Sequence, residues 1–308
     1  MIGNPMDVLR AFPVRRSKMQ KQAFRDAVLS YTSELGYQPR VEKGSRGSHN
    51  VLIGNPETAK LLVTAHYDTC VGLPFPNIVT PTNLLVYLVY QISIVMVYLA
   101  IAFGVGGLIG AMVKDSAIAT MSGLLIYYVL LFLMLYGPAN KHNANDNTSG
   151  VVTVLEIAKL LPAQFREKVC FVLFDLEESG LVGSASYRKQ HKQASETQII
   201  LNLDCVGDGD EMILLPGKKA RKNDALMDLL RTATGAWGSK SLHLHEKGFS
   251  MYPSDQKHFP LGVAIGAFHR KKWVGPYYSR IHTRRDTILD EENVRILRDR
   301  IIGLIRAV

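Results

Sequence analysis

Residues 151–180 read VVTVLEIAKL LPAQFREKVC FVLFDLEESG. Val151–Leu161 places apolar side chains at helical spacing, whereas Val169–Phe174 is a short, unbroken apolar run of strand-forming residues. A strand without polar alternation is one covered on both faces, as in a parallel sheet packed between helices. The same alternation recurs along the chain. Leu61–Ala65, Ile199–Leu203, Met212–Leu215 and Val263–Phe268 read as further strands, and Ala225–Thr234 and Glu291–Ile305 as further helices. The expected fold class is therefore α/β: a three-layer arrangement with a mixed, mostly parallel sheet and helices on both faces. In such sheets reactive groups collect at the carboxyl ends of the strands.

Those ends are rich in chemistry. The quoted strand stops at Asp175-Leu-Glu177-Glu178-Ser-Gly180, and a turn there can aim one glutamate at a metal and its neighbour at a water molecule. Metal-assisted hydrolysis needs that pairing of a ligand with a general base. Leu61–Ala65 runs into His66-Tyr-Asp68, and residues two apart on an extended chain share a face. A carboxylate beside an imidazole fixes the ring's tautomer and raises its basicity as a metal ligand. Ile199–Leu203 ends at Asp204, and Ile281-His282-Thr-Arg-Arg-Asp286 brings a second histidine and carboxylate. Asp146 lies in the loop Asn143–Gly150 ahead of the helix, where it reads as an N-cap or as a ligand. Each of these has an ordinary structural explanation by itself. Together, two histidines and several acidic groups at strand ends and adjacent loops point to a metal centre. His243-Leu-His245 has no such company and reads as an exposed strand, while Arg270-Lys271-Lys272 reads as a solvated patch facing a membrane.

The remaining signal is compositional. The chain has 308 residues, 47% apolar and 20% charged, with a net charge of +9, which excludes disorder, collagen-like repeats and a disulfide miniprotein. From Thr69 to Asn140 the only charged side chains are Lys114 and Asp115. The rest of the chain carries charge at about the one-quarter density of an ordinary soluble domain. The uncharged stretch holds two runs long enough to cross a bilayer, placed at Leu84–Phe103 and Ala117–Tyr136, with Gly104–Gly110 and Lys114–Asp115 as the turn. This gives a transmembrane hairpin over residues 81–137, inserted into a discontinuous catalytic domain of residues 1–80 and 138–308. Tyr87, Tyr90, Tyr127, Tyr128 and Tyr136 are candidate interface anchors. Met1–Lys21 lacks the apolar core of a signal peptide, and the basic charge lies outside the hairpin. An integral protein of the cell membrane with a cytoplasmic catalytic domain is expected. Cys70, Cys170 and Cys205 form no CxxC pair and suit a reducing compartment. No nucleic-acid recognition motif accompanies the positive charge, so no nucleic-acid partner is expected. The sequence leaves the oligomeric state open.

The set His66-x-Asp68, Asp146-Asn-x-Ser-Gly150, Glu177-Glu178-x-Gly180, Asn202-x-Asp204 and His282-Thr-x-x-Asp286-Thr resembles, in order and content, the zinc aminopeptidase family M28. That family also includes glutaminyl cyclases and the catalytically silent transferrin receptor ectodomain. The resemblance runs from about Leu61 to the end, without the hairpin, and implies a zinc-exopeptidase-like fold. Ser254-Asp255-Gln256-Lys-His258-Phe259 resembles a further family segment, with Gln256 where the family has histidine. The likeness implies two zinc ions bridged by Asp146, one also held by His66 and Asp204, the other by Glu178 and His282. It further implies Glu177 as general base on a bridging water and Asp68 as the orienting partner of His66. Asp255 would contact substrate, and Tyr277 or Tyr278 would assist the oxyanion. The expected activity is a membrane-anchored, zinc-dependent metallopeptidase, most simply an aminopeptidase, acting on a peptide or amide that is apolar or associated with the lipid bilayer. Hydrolysis of N-acyl amino acids or other amides, glutaminyl cyclisation, and a non-catalytic receptor or scaffold are the alternatives. The complete ligand set disfavours the cyclase and the scaffold. Because His66 and Asp146 must meet at one metal, both ends of the hairpin must return to the active site.

Overall fold

The computed structural model describes residues 2–308. Its strands are β1 (Pro39–Lys43), β2 (His49–Ile53), β3 (Leu61–His66), β4 (Val169–Phe174), β5 (Ile199–Leu203), β6 (Glu211–Pro216), β7 (Gly235–Trp237), β8 (Lys240–Leu244), β9 (Leu261–Lys271) and β10 (Gly275–Tyr277). They form one sheet in the order β1-β2-β4-β3-β5-β9-β6-β8-β7, with β10 on β9. The centre, β4-β3-β5-β9, is parallel, and antiparallel pairs close both flanks.

All six residues of β3 and of β4 are buried, as the uninterrupted apolar runs require. Their side chains divide between two cores. Val169, Phe171 and Leu173 face the helices Lys18–Glu34, Gly150–Leu160 and Glu291–Ala307, while Cys170, Val172 and Phe174 face Tyr187 of the helix Val182–Gln190. Helices thus cover both faces of a mixed, centrally parallel sheet. The edge strand β1, its neighbour β2 and the helix Lys18–Glu34 had no counterpart in the sequence reading. The helix is stopped at its start by a capping box in which Ser17 and Gln20 satisfy each other's backbone N–H groups. His243 lies on β8 and is exposed, in keeping with its plain reading.

Two apolar helices leave this body, Leu84–Val113 and Ser116–Tyr136. Both are long and apolar enough to cross a membrane. The first corrects an expectation: it does not end at Phe103, and Gly104–Gly110 is helix, not turn. The reason is packing between helices. A Cβ on Gly106 would stand 2.6 Å from the Ala119 carbonyl oxygen, and one on Gly110 would stand 2.3 Å from the Ala119 Cβ. Glycine, a poor helix former in water, here lets two backbones touch. The turn is reduced to Lys114, with left-handed backbone at φ 56°, and Asp115, whose side chain accepts from Ala117 N at 2.8 Å and Ile118 N at 3.2 Å. At the other end the chain is tied together. Val71 bridges Ala139, Asn140 N donates to Cys70 O at 3.0 Å and Gly72 N to Pro138 O at 3.0 Å. The pair therefore begins and ends beside His66–Asp68.

Outward faces of both helices expose large apolar side chains, among them Leu85, Ile92, Met96, Leu108, Met121, Leu125 and Phe132. Where the first helix leaves the body, Asn83 accepts from Val86 N and donates to the Val274 carbonyl oxygen. That contact places the β9–β10 turn at the helix base, with Trp273 86% exposed and Lys272 Nζ 5.3 Å from its ring centroid.

Candidate metal centre

Parallel pairing aligns the ends of β3 and β4, with His66 opposite Phe174, so His66 and the Glu177–Glu178 turn are neighbours. Backbone bonds fix their relation. The Asp68 carboxylate accepts from Glu177 N at 3.0 Å and from Glu178 N at 3.2 Å. Leu176 takes a left-handed φ of 56° to make this turn. Asp68 therefore holds the two glutamates more than it holds His66. Its carboxylate is 3.7 Å from His66 Nδ1, whereas its carbonyl oxygen is 3.2 Å from that nitrogen.

Asp146 occupies the middle of the arrangement. Its Oδ1 is 3.2 Å from His66 Nε2 and its Oδ2 is 2.9 Å from His282 Nε2. Asp204 Oδ1 lies 3.7 Å from His66 Nε2, and Glu178 Oε1 lies 3.5 Å from His282 Nε2. The expected residues thus form two groups sharing one aspartate, His66, Asp146 and Asp204, and Asp146, Glu178 and His282, while a third group joins His66 to Glu177 and Glu178. Cys70 joins the second group, a position to which the sequence reading gave no role.

The loop carrying Asp146 is pinned by buried polar groups. Asp286 accepts from Asn145 N at 2.7 Å and Asp146 N at 3.1 Å. Asn147 Nδ2 donates to the Leu203 carbonyl at 2.9 Å, which ties the loop to the end of β5. Asp146 itself caps no helix by a side-chain bond, so the N-cap alternative does not describe it. Asp286 was visible as part of a motif without an assigned function. Arg15 was missed altogether. It is fully buried, its guanidinium donates to the Phe12 and Tyr67 carbonyls and to Thr148 Oγ1, and its field reaches Asp68 and Asp146. Only the tertiary fold brings this residue, from a basic N-terminal stretch, beneath the acidic cluster.

The electrostatics are those of a site built for cations. Burial opposes charge on His66, but Glu177, Asp146 and Asp204 outweigh it and hold its pKa well above the ordinary value. His282 is pushed up to about 9 by Glu178 and Asp146 against its burial. Burial raises Glu178 to about 8 and Glu177 well above the usual carboxylate range. Asp146 is buried too, yet the two imidazoles hold it below that range. Glu178 Oε1 is buried without a hydrogen-bond partner. Crowded carboxylates around two imidazoles, with a buried carboxylate oxygen left over, fit divalent zinc, which takes mixed nitrogen and oxygen ligands.

The other expected residues are placed differently. Asp255 is fully buried, both its oxygens lack partners, and burial raises it to about 7. Asn202 beside it bonds Ser254 Oγ at 2.9 Å and Gln256 Oε1 at 3.2 Å, so Gln256 serves this polar layer. Tyr278 is buried against Phe268, with ring centroids 5.5 Å apart, and reaches the site only through Tyr252, whose hydroxyl donates to the Asp204 carbonyl at 2.9 Å. Tyr277 lines a separate hollow with Asp210, His269 and Arg280 and makes no hydrogen bond to the centre among the described residues. The oxyanion function expected of these tyrosines therefore has no support from Tyr277. Of Arg270-Lys271-Lys272, Arg270 pairs with Glu211, and Lys271 and Lys272 sit by the base of the first apolar helix.

Comparison with known proteins agrees with this geometry. Residues 133–302 match the model of peptidase family M28. The chain is 30% identical over 151 residues to aminopeptidase YwaD of Bacillus subtilis (strain 168), a match covering 47% of this chain and 32% of that protein. The match thus spans about a third of the length of that curated relative. Among solved structures, Porphyromonas gingivalis glutaminyl cyclase matches with a TM-score of 0.61 at 17% identity, over 98% of this chain and 94% of that one. Legionella pneumophila LapA aminopeptidase matches with a TM-score of 0.56 at 13% identity, over 99% and 70%. At such identities the likeness concerns the fold, which these aminopeptidases and cyclases share.

Proposed function

The chain belongs to peptidase family M28, and from that premise we propose that it is a membrane-anchored, zinc-dependent metallopeptidase that removes amino-terminal residues. The observation that carries this is the pair of donor groups sharing Asp146, with a second carboxylate, Glu177, beside them. His66, Asp146 and Asp204 would hold one zinc ion, and Asp146, Glu178 and His282 the other. Bound zinc supplies Lewis acidity that activates water and polarises the scissile carbonyl. Glu177, whose burial raises its proton affinity, takes a proton from the attacking water and passes it to the departing nitrogen. Asp68 holds both glutamates in register through their backbone N–H groups. Arg15 offsets part of the negative charge from below.

Several features support the membrane anchor. Both apolar helices expose large side chains over most of their length, at a density that favours lipid over water. At 1.5 Å per residue, the 21-residue helix is about 32 Å long, close to the thickness of a hydrocarbon core. Trp273, Lys271 and Lys272 at the helix base have the chemistry of a membrane interface. Residues 81–137 are then a hairpin set into a catalytic domain formed by 1–80 and 138–308. The positive balance of the catalytic domain favours a cytoplasmic placement for it.

The test is a substrate panel of free and N-acylated aminoacyl amides and of amino-terminal glutaminyl peptides, given to zinc-loaded protein. Release of the amino-terminal residue from free-amine substrates alone is the expected result. Cleavage of blocked substrates alone would make the protein a deacylase, and conversion of glutaminyl peptides without hydrolysis would make it a cyclase.

A further inference from the structure

Near the tip of the helical pair, glycines bring the backbones together, and Phe103 lies where a Cβ on Gly123 would stand, 2.8 Å away. Towards the catalytic end the facing side chains are large. Together with the loop after Cys70 they enclose a slot of about 370 Å³. The first helix contributes Ile94, Val95 and Tyr98 to its walls, and the second Leu131, Met134 and Leu135. Phe75 braces Tyr98 edge-on, with ring centroids 5.9 Å apart. Glu178 and His282 line the same slot, with Arg16, Lys21 and Asp68 also at its rim, so one cavity joins apolar walls on two helices to the proposed ligand side chains. A volume in the range of about 300–1,000 Å³ suits a whole small molecule.

We propose that this slot receives the leaving side of an amphiphilic substrate: an α-aminoacyl amide or peptide whose free amino end sits at the metal centre and whose remainder is a long aliphatic chain reaching in from the bilayer. The proposal rests on the hydrolase reading above and adds its substrate class. Direction follows from charge. The carboxylates that line the slot, Asp68 and Glu178, stand together at its catalytic end, where Asp68 accepts from Glu178 N, so a substrate ammonium finds its carboxylates there and not among the apolar walls. What remains to enter the slot is the part beyond the scissile bond. Hydrolysis joins the water oxygen to the acyl carbon and breaks the carbon–nitrogen bond. The proton carried by Glu177 goes to the departing amine, which stays among Tyr98, Leu131 and Met134.

Leucine butylamide and leucine dodecylamide, given to zinc-loaded full-length protein in nanodiscs, test this. Each methylene moved out of water favours the longer chain, so kcat/KM for the dodecylamide is expected to exceed that for the butylamide about tenfold or more. Partition into the disc alone could produce such a ratio, and Leu131→Trp or Ile94→Trp, on opposite walls, separates the two causes. In each variant the ratio collapses towards one if the slot holds the chain and persists if the bilayer merely concentrates it. A second reading needs no turnover and no metal. A dodecylamide with a terminal diazirine, photolysed with chelator-treated protein, should label the 94–98 and 131–135 segments, and excess unlabelled dodecylamide should suppress that labelling while sparing the lipid-facing Leu85 and Phe132. Butylamide cleavage with a ratio near one, a ratio that survives both tryptophans, or labelling that does not compete overturns the proposal alone. Failure to cleave either amide overturns the hydrolase reading, and the labelling still decides whether the slot binds chains.

Discussion

Asp68 gives the sharpest mutational prediction, because its two carboxylate oxygens each hold one backbone N–H of the Glu177–Glu178 turn. The residue is 4% exposed, and its bonds to Glu177 N and Glu178 N measure 3.0 and 3.2 Å. Asp68→Asn preserves shape and one acceptor but replaces the second with an NH₂ group that faces an N–H donor. A hydrogen bond to a charged group contributes about 1.5–3 kcal/mol. If that energy serves to hold Glu177 where it meets the reacting water, kcat/KM should fall about ten- to hundredfold. The loss should appear in kcat more than in KM, since the residue touches no substrate. Steady-state hydrolysis of a leucyl anilide, with bound zinc and the thermal midpoint measured on the same samples, checks this. An Asp68→Asn protein that keeps its zinc and stays within twofold of the wild-type kcat would refute the claim that this carboxylate positions the base.

Other perturbations test other parts of the account. Asp286→Ala leaves Asn145 N and Asp146 N without acceptors, and zinc affinity measured by competition with a chelating dye should fall about ten- to hundredfold. Gly106→Leu drives a side chain into Ala119 and Gly123, and overpacking of this kind costs about 1–3 kcal/mol, read as a lower melting midpoint in detergent; an unchanged midpoint would mean the helices do not pack through glycine. His191 contacts Glu42 at 2.9 Å and also Glu57, and these bonds raise its pKa against partial burial. Its contribution is therefore complete below the ordinary value of 6.5 and disappears as pH rises through the raised folded value. His191→Gln should destabilise by about 0.5–1 kcal/mol at pH 5.5 and by nearly nothing at pH 9.5, since Glu57 is largely exposed and solvent screens the pair.

What could be read from the sequence follows physical lines. β3, β4 and β5 announce themselves because a strand buried on both faces has to be apolar throughout, and the histidine and carboxylates at their ends stand out against that background. β1, Pro39–Lys43, is a half-exposed edge strand with three charged residues, and nothing local distinguishes it from a loop. The glycines at 104–110 misled for a related reason. Their effect on a helix in water is the opposite of their effect against a second helix, and only the partner decides. Arg15 and Tyr252 are illegible because each acts through a backbone carbonyl far along the chain. Asp68 was visible, but its main bonds go to backbone groups 109 and 110 residues away, which no spacing rule reveals.

Glu177→Gln tests the central claim most directly, because it removes the proposed base while leaving every proposed ligand in place. Hydrolysis of a free-amine leucyl substrate and bound zinc should be measured together on the same preparation. The account predicts two zinc ions per chain in both proteins and a loss of kcat of about a hundredfold or more in the variant. Wild-type turnover by the zinc-replete variant would contradict it.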